Sequence, residues 1–210
     1  MLIETLPLTV KDFAPYGQVI SARTSAASEA NQGTASRFNN LATLQNGRSG
    51  AKSNVCLFRS AKRPLDSNSC SSENKKDDGS GLFRVKLLER HPYSSQMFVP
   101  INCQNRWLII VALSLKEPKN VDVRKEGNAG PDMSTVRAFM ATSDQGINFA
   151  AGVWHHPLIA LESTTDFACV VYEDGTRDDC HIVNLNDVSV IVPPRCIDDS
   201  RKSNVCRSRM

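Results

Sequence analysis

Short apolar segments separated by polar turns recur along the whole chain and are its dominant pattern. The most apolar of them spans residues 107–115, WLIIVALSL, whose isoleucine and valine residues favour a buried strand over a helix. Residues 133–140 fit either a strand or a short helix. Similar segments predict further strands at residues 54–60, 83–90, 96–101, 167–172, 181–185 and 188–192. This pattern predicts an all-β sandwich or barrel with a few short helices, and a mixed α+β fold is the alternative.

The beginning of the chain predicts a brief helix between two strands. Thr9 is placed to cap a helical turn, and Asp12 follows three residues later, as in a capping box. Pro15 ends this turn, and Gly17 leads into a strand that continues through Ile20.

Polar segments interrupt the strand pattern and predict loops. Residues 21–33 are rich in Ser, Ala and Asn and are predicted as a surface loop. Residues 66–81 and 117–131 are predicted as flexible insertions that leave the core untouched. We therefore expect a single domain over residues 1–197, followed by a loose tail at residues 198–210.

Composition and charge exclude several classes of protein. The formal net charge is only +3, without the concentrated basic face that nucleic-acid binding requires. No apolar run reaches the length of a membrane span, and the chain does not begin with a secretory signal pattern, so we expect neither a membrane protein nor a secreted one. The seven cysteines form no CxxC spacing and are expected to be reduced thiols in an intracellular compartment.

Two adjacent histidines lie in the apolar stretch of residues 150–161, AAGVWHHPLIAL. Neighbouring side chains of a strand point to opposite faces, so only one of His155 and His156 can face a given cavity. Pro157 is typical of a strand end, an edge strand or a bulge, and Gly152 is typical of a bulge. Taken alone, the stretch fits a buried strand with one packed histidine.

A second candidate group is the segment ERHP with a nearby glutamine. Glu89 and His91 are two residues apart and share one face of a strand, where they fit metal ligands or an acid–base pair. Gln96 adds an amide oxygen or a hydrogen bond to a substrate. The structural alternative is that Glu89 forms an ion pair at a sheet rim and that His91 caps a turn before Pro92.

An arginine among apolar residues is the third candidate. Arg137 in the segment STVRAF is suited either to a bidentate grip on a carboxylate or to a structural ion pair. The chain has only four histidines, three of them close to a proline in short apolar segments. This clustering favours a metal or acid–base site in a β-barrel without identifying a substrate.

Four segments together resemble a known family. They are LPLTVKDFAPYGQVI, VKLLERHPYSSQMFVPI, PDMSTVRAFMATSDQGINFAAGVWHHPLIAL and TDFACVVYEDG, at residues 6–20, 85–101, 131–161 and 165–175. In this order they resemble the ureidoglycolate lyases, formerly called ureidoglycolate hydrolases, of allantoin degradation in purine metabolism. The departures from the family are the two polar insertions and the extended tail, which fall where loops are predicted.

The resemblance implies a cupin-like β-barrel of two related sheets and assembly as a homodimer. It also implies cleavage of (S)-ureidoglycolate to glyoxylate and urea. In that elimination a base removes the hydroxyl proton, the C–N bond breaks, and an acid protonates the leaving nitrogen. Two alternatives are an amidohydrolase that releases ammonia from the same substrate and a non-catalytic cupin that binds a small carboxylate.

Within this resemblance the candidate residues receive roles. His91 and His155 are assigned as the acid–base or metal-binding pair, and Glu89 as a further ligand or as the group that orients His91. Gln96 completes that face, and Arg137 is assigned to the substrate carboxylate. These four assignments rest on the resemblance together with the residue patterns described above.

The second histidine of the pair and the metal are less defined. His156 is grouped with the substrate-binding residues on the opposite face, where it packs or supports the site, and the roles of His155 and His156 are interchangeable at this stage. Cupins often bind a divalent ion through an HxH pattern, which Glu89 and His91 replace here by ExH. Metal dependence is therefore open, and a divalent nickel or manganese ion is the expected cofactor.

The last three residues, Ser208, Arg209 and Met210, are similar to the SKL-type peroxisomal address. A loose basic tail is suited to binding by a peroxisomal import receptor. We therefore expect the protein in peroxisomes or, if the tripeptide is a chance match, in the cytoplasm.

Overall fold

The computed structural model describes residues 1–66, 78–101, 105–116 and 129–195. Strands dominate these residues, and their one α-helix, α1, spans Val10–Phe13. The predicted all-β, cupin-like fold with a few short helices is confirmed. In chain order, the strands of the described residues are β1 (Leu2–Pro7), β2 (Gly17–Ile20), β3 (Ala27–Ala30), β4 (Ala35–Phe38), β5 (Lys52–Ser60), β6 (Gly81–Arg90), β7 (Gln96–Ile101), β8 (Trp107–Ala112), β9 (Arg137–Ala141), β10 (Gly146–Phe149), β11 (Trp154–His155), β12 (Ile159–Ala160), β13 (Thr165–Glu173) and β14 (His181–Val192).

Six strands close into a barrel in the order β11-β6-β14-β1-β9-β8, and the pairing of β11 with β8 completes the ring. β1 runs parallel to both of its neighbours, and the other pairs of the ring are antiparallel. β11 and β12 pair one after the other along the same side of β8. Pro157, which has no backbone donor, lies between these two short strands, as its position in the sequence predicts.

A second, antiparallel sheet covers part of the outer surface of the barrel, with the order β2-β10-β7-β13-β5. Successive side chains of β8 point to opposite sides of the strand and contribute to two separate cores. Leu108 and Ile110 belong to the core inside the barrel, whereas Ile109 and Val111 belong to the core between the barrel and the second sheet. Because both faces of β8 are covered, the strand is apolar without interruption, and its prediction as a buried strand is confirmed.

The predicted helical turn near the start is present. The Asp12 backbone N–H donates to Thr9 Oγ1 over 3.1 Å, and the Thr9 hydroxyl donates to the Asp12 carboxylate over 2.7 Å. This reciprocal cap begins α1, and the chain then enters β2 at Gly17.

Three segments differ from the sequence prediction. Part of residues 21–33, predicted as a loop, forms β3, which pairs with β4 as a hairpin. β10 begins at Gly146, in a stretch (residues 144–146) that the sequence indicates as a turn. The two strands predicted at the end of the domain are one strand, β14, which carries a bulge between Asn184 and Val188 where Asp187 has a φ of 56°.

The predicted insertions and tail fall largely on residues 67–77, 117–128 and 196–210, which lie outside the described residues. The extent of the domain and the behaviour of these segments therefore stay predictions. Among the helices of the described residues, none has the length and apolar character needed to span a membrane.

Candidate functional site

The adjacent histidines point into different layers of the fold. The ring of His155 stacks on Phe149, with centroids 4.1 Å apart and planes 13° apart, between the barrel and the second sheet. The ring of His156 meets the edge of Phe83, a residue of the barrel's interior core, at 5.1 Å. The predicted opposite orientation is therefore present, and His155 is the histidine that faces the other candidate residues.

Strand pairing brings the two candidate segments together. β11 pairs with β6 so that His155 lies directly opposite Glu89, and their side chains meet with His155 Nε2 3.6 Å from Glu89 Oε1. His91 follows β6 directly, and its ring is 5.7 Å from the ring of His155. Gln96 at the start of β7 places its Oε1 3.0 Å from His155 Nε2. The cluster thus lies between the two sheets, outside the lumen of the six-stranded barrel.

One potential ligand atom from each of Glu89, His91 and His155 lies within 4.8 Å of the others. The side chain of His155 is 2% exposed, whereas that of Glu89 is 21% exposed. His91 and Gln96 are buried as well. Solvent therefore reaches the cluster at Glu89.

Backbone carbonyls determine which ring nitrogens carry protons. His155 Nδ1 lies 3.0 Å from the Val153 carbonyl oxygen, and His91 Nδ1 lies 2.7 Å from the Asp179 carbonyl oxygen. A carbonyl only accepts, so each Nδ1 donates. A neutral His91 ring then keeps a lone pair on Nε2, whereas His155 Nε2 faces the oxygens of Gln96 and Glu89. Among the described residues, His91 Nε2 is buried without a hydrogen-bond partner.

This donor set fits a divalent ion. Two imidazole nitrogens and a carboxylate oxygen are ligands that first-row transition metals accept, and histidine ligands usually donate their other ring N–H to a carbonyl, as both do here. The unpartnered Nε2 of His91 is the atom that an ion would satisfy. The same three groups also fit proton transfer, because the unpartnered Nε2 of His91 can accept a proton close to the Glu89 carboxylate.

The electrostatics of the cluster favour an ionised Glu89 carboxylate and a neutral His91 imidazole. Burial raises the pKa of Glu89, but the hydrogen bond with His155 and the electrostatic interactions with the neighbouring histidines outweigh it and lower that pKa below its usual value. Burial and the proximity of His155 lower the pKa of His91. Burial lowers the pKa of His156 to about 4, so this side chain is neutral at pH 7.

Comparison with known proteins identifies the family. The family model described as ureidoglycolate lyase matches residues 1–192. The chain belongs to the ureidoglycolate lyase family. A relative named ureidoglycolate lyase from Burkholderia cepacia is 34% identical over 178 residues, which cover 85% of this chain and 83% of the relative.

Two further relatives carry the same name. One from Brucella melitensis biotype 2 is 34% identical over 184 residues, which cover 85% of this chain and 88% of the relative. One from Burkholderia mallei is 37% identical over 165 residues, which cover 78% of each chain. The family predicted from the sequence motifs is therefore confirmed.

In this member of the ureidoglycolate lyase family, Arg137 lies apart from the cluster. It is exposed on β9, and its Nη1 donates to the carbonyls of Ser134 and Val136, at 3.4 and 2.7 Å. Val111 of β8 pairs with Arg137 on one side and with His155 on the other. Arg137 and His155 therefore occupy one rung and the same face, with Cα atoms roughly 10 Å apart across two strand spacings.

The sequence did not point to the groups that orient the histidines. The carbonyls of Val153 and Asp179 accept their Nδ1 protons, and a backbone carbonyl carries no signature of residue type. The one available signal was the run of charged residues at 173–179, which the sequence indicates only as a turn.

Proposed function

We propose that this protein is a ureidoglycolate lyase, which cleaves (S)-ureidoglycolate to glyoxylate and urea. The observation that carries the proposal is the cluster of Glu89, His91 and His155, which lies inside the segment that the family model matches. Its ionised carboxylate and the Nε2 lone pair of His91 supply the groups that an elimination at a hemiaminal carbon requires.

The substrate is a small carboxylate, so the site needs a cation and a base at a suitable separation. Arg137 on the shared rung is our candidate for the carboxylate, since an arginine fork binds carboxylate oxygens in a bidentate manner. Gln96 and the cluster then contact the hemiaminal end. His156 supports the strand from the opposite face through its donor contact to the Pro157 carbonyl, at 2.7 Å.

Proton transfer is assigned to His91 Nε2. This nitrogen is unprotonated at neutral pH and takes the hydroxyl proton of the substrate as the C–N bond breaks. The Glu89 carboxylate stabilises the imidazolium that forms. The imidazolium then returns the proton to the departing urea nitrogen, so no water is added and the products are an aldehyde and an amide.

We also infer that the cluster accepts a divalent ion, with nickel or manganese as the expected metals. Glu89, His91 and His155 would hold it. A bound ion supplies Lewis-acid polarisation of a substrate oxygen. In that case His91 Nε2 would bind the ion instead of acting as the base. Loss of rate with a chelator would indicate the ligand role, and an unchanged rate would indicate the base.

A product assay tests the proposed function. Ureidoglycolate is generated in place by allantoicase, and glyoxylate, urea and ammonia are followed with and without a chelator against an enzyme-free blank. We expect glyoxylate and urea in equal amounts above the blank. Ammonia as the main nitrogen product would make the protein an amidohydrolase, and glyoxylate binding without turnover would make it a non-catalytic cupin; the family match favours neither.

We propose that two copies pair through the outer face of the second sheet. Val55 and Leu57 of β5 are 75% and 57% exposed, and Ile101 of β7 on the same face is 41% exposed. Aliphatic side chains in one exposed patch are typical of a protein interface. Leu57→Asp should therefore give a monomer by sedimentation, whereas Ile182→Asp, at a residue 62% exposed on the barrel, should leave the dimer intact.

We propose peroxisomal import through Ser208, Arg209 and Met210, which lie outside the described residues. A fluorescent fusion that keeps this tripeptide at its C-terminus should colocalise with a peroxisomal marker. The same fusion without the three residues should stay in the cytoplasm, and an unchanged distribution would refute the signal.

A further inference from the structure

A partly buried arginine outside the cluster connects the segments that carry the cluster residues. Arg48 lies in the connection before β5, and its side chain is 17% exposed. Its Nη1 contacts the carboxylate of Asp174 at 2.7 Å and that of Asp179 at 3.3 Å. The same nitrogen donates to Thr176 Oγ1 at 2.9 Å. Residues 174–179, which we call the acidic turn, are therefore held by one guanidinium.

The acidic turn is the segment that supplies the carbonyl for His91. Asp179 accepts the backbone N–H of Gly175 at 2.7 Å and that of Asp174 at 3.2 Å through its carboxylate, which closes the turn on itself. Its carbonyl oxygen accepts the Nδ1–H of His91 at 2.7 Å. The position of the whole turn therefore decides where this acceptor lies.

Arg48 also contacts the segment on the other side of His91. Its guanidinium carbon lies 4.2 Å from the centre of the Tyr93 ring, a cation–π contact. The neighbouring Gly47 N–H donates to the Tyr93 carbonyl at 2.6 Å. The arginine thus stands between the acidic turn and the backbone two residues beyond His91, and sets their separation.

The residues just before Arg48 bind the remaining loops of the site. Gln45 exchanges two hydrogen bonds with Ser95, next to Gln96, at 2.8 and 3.1 Å. The Gln45 side chain accepts the Ala151 N–H at 2.8 Å, four residues before His155. The connection therefore contacts the chain two residues after His91, one residue before Gln96 and four residues before His155.

We propose that Arg48 is a positioning residue, which holds the acidic turn so that His91 keeps its proton on Nδ1 and its lone pair on Nε2. Only the expected effect of Arg48 on the rate of substrate cleavage rests on the proposed function. Groups that orient a ligating or catalytic histidine typically change metal affinity or activity by about 10–100-fold when removed.

The tautomer of His91 gives a direct readout in the protein without metal. The chain has four histidines, so 15N-histidine spectra contain few signals, and His91→Gln identifies those of His91. At pH 7.5 we expect a protonated Nδ1 and an unprotonated Nε2 in the unmutated protein. In Arg48→Ala we expect a second form with the proton on Nε2, together with Ni²⁺ affinity weakened about 10–100-fold by calorimetry.

Matched variants separate positioning from general stability. Arg59→Ala removes an ion pair of similar length, 2.8 Å to Asp166, from a side chain that is 72% exposed, and should leave tautomer, Ni²⁺ affinity and kcat unchanged. Arg48→Lys should restore part of the loss, because an ammonium reaches one carboxylate and not both. If Arg48→Ala fails to fold, the Asp174→Asn variant takes its place in the test, because Asp174→Asn removes the charge pairing with Arg48.

The proposal is overturned if the folded Arg48→Ala or Asp174→Asn protein keeps the His91 tautomer of the unmutated protein and its Ni²⁺ affinity within twofold. In the lyase assay we expect kcat to fall and KM to change little, since Arg48 does not touch the substrate. Absence of lyase activity in the unmutated protein would refute the proposed function and leave the tautomer result standing.

Discussion

Glu89 and His155 stand directly opposite each other across the β6–β11 pair, and their side chains meet with 3.6 Å between Oε1 and Nε2. β11 contains only two residues, Trp154 and His155, and is held by β6 on one side and β8 on the other. The strand that closes the barrel is therefore also the strand that presents the site histidine. Changes to this pairing are expected to affect the site and the barrel together.

His91→Ala and His155→Ala should each abolish measurable turnover, with kcat/KM reduced by at least about 10²-fold, because each removes an Nε2 from the cluster. Initial rates with ureidoglycolate measure the effect, and circular dichroism checks that the fold survives. His181→Ala removes a histidine outside the cluster and should keep its activity. Full activity in both cluster variants would show that the site is assigned wrongly.

Arg137→Ala should raise KM about tenfold or more and change kcat less, since a hydrogen bond to a charged group contributes about 1.5–3 kcal/mol to binding. Steady-state kinetics with ureidoglycolate separate the two constants. Arg23→Ala, which removes an exposed ion pair with Asp144, is the matched control. An unchanged KM in Arg137→Ala would place the carboxylate elsewhere.

His156→Gln should make the protein less sensitive to acid. The folded pKa of about 4 lies below the ordinary histidine value, because burial outweighs the opposing effects of the Pro157 carbonyl and Glu89, and Arg63 and His155 lower the pKa further. The unfolded chain therefore binds a proton first as the pH falls, and stability is lost between about pH 6.5 and 4. From pH 7 to pH 5 this group alone accounts for about 2 kcal/mol.

Urea unfolding at pH 7 and pH 5 measures that difference in the unmutated and His156→Gln proteins. The loss of unfolding free energy should be smaller in the variant by roughly this amount. Equal losses in the two proteins would mean that His156 is protonated with little penalty in the folded state.

Gly17→Ala should destabilise the fold by about 3 kcal/mol or more, because a Cβ at Gly17 would lie 2.0 Å from the Asn148 carbonyl oxygen of the paired strand. Gly50→Ala is the control, since a Cβ there meets nothing within 4 Å, and it should change stability by less than about 0.5 kcal/mol. Thermal and urea unfolding of both variants give the comparison. Similar stability of the two would contradict the close approach of β2 to β10.

Local patterns were sufficient for much of the fold. The uninterrupted apolar run of β8, the Thr9 cap and the start of β7 at Gln96 all follow from residue type and spacing. The shared face of Glu89 and His91 was also predictable, because it depends only on the alternation of a strand.

Contacts between distant segments were not predictable in this way. Gly146 is typical of a turn, yet it begins β10. A glycine is required there because β7 approaches so closely that a Cβ would lie 2.6 Å from the Phe98 carbonyl oxygen. The face taken by His155 depends on the pairing of β11 with two other strands. The part played by Arg48 depends on a turn more than a hundred residues later in the chain.

The parallel position of β1 has a consequence for biosynthesis. Ile3 pairs with Val190 on one side, and Leu6 pairs with Phe139 on the other, so β1 finds its partners only after nearly the whole domain has left the ribosome. Until then its apolar residues are exposed to chaperones and to other nascent chains. Such long-range closure is slow compared with hairpin formation. We therefore expect yield in recombinant hosts to depend on growth temperature and chaperone supply.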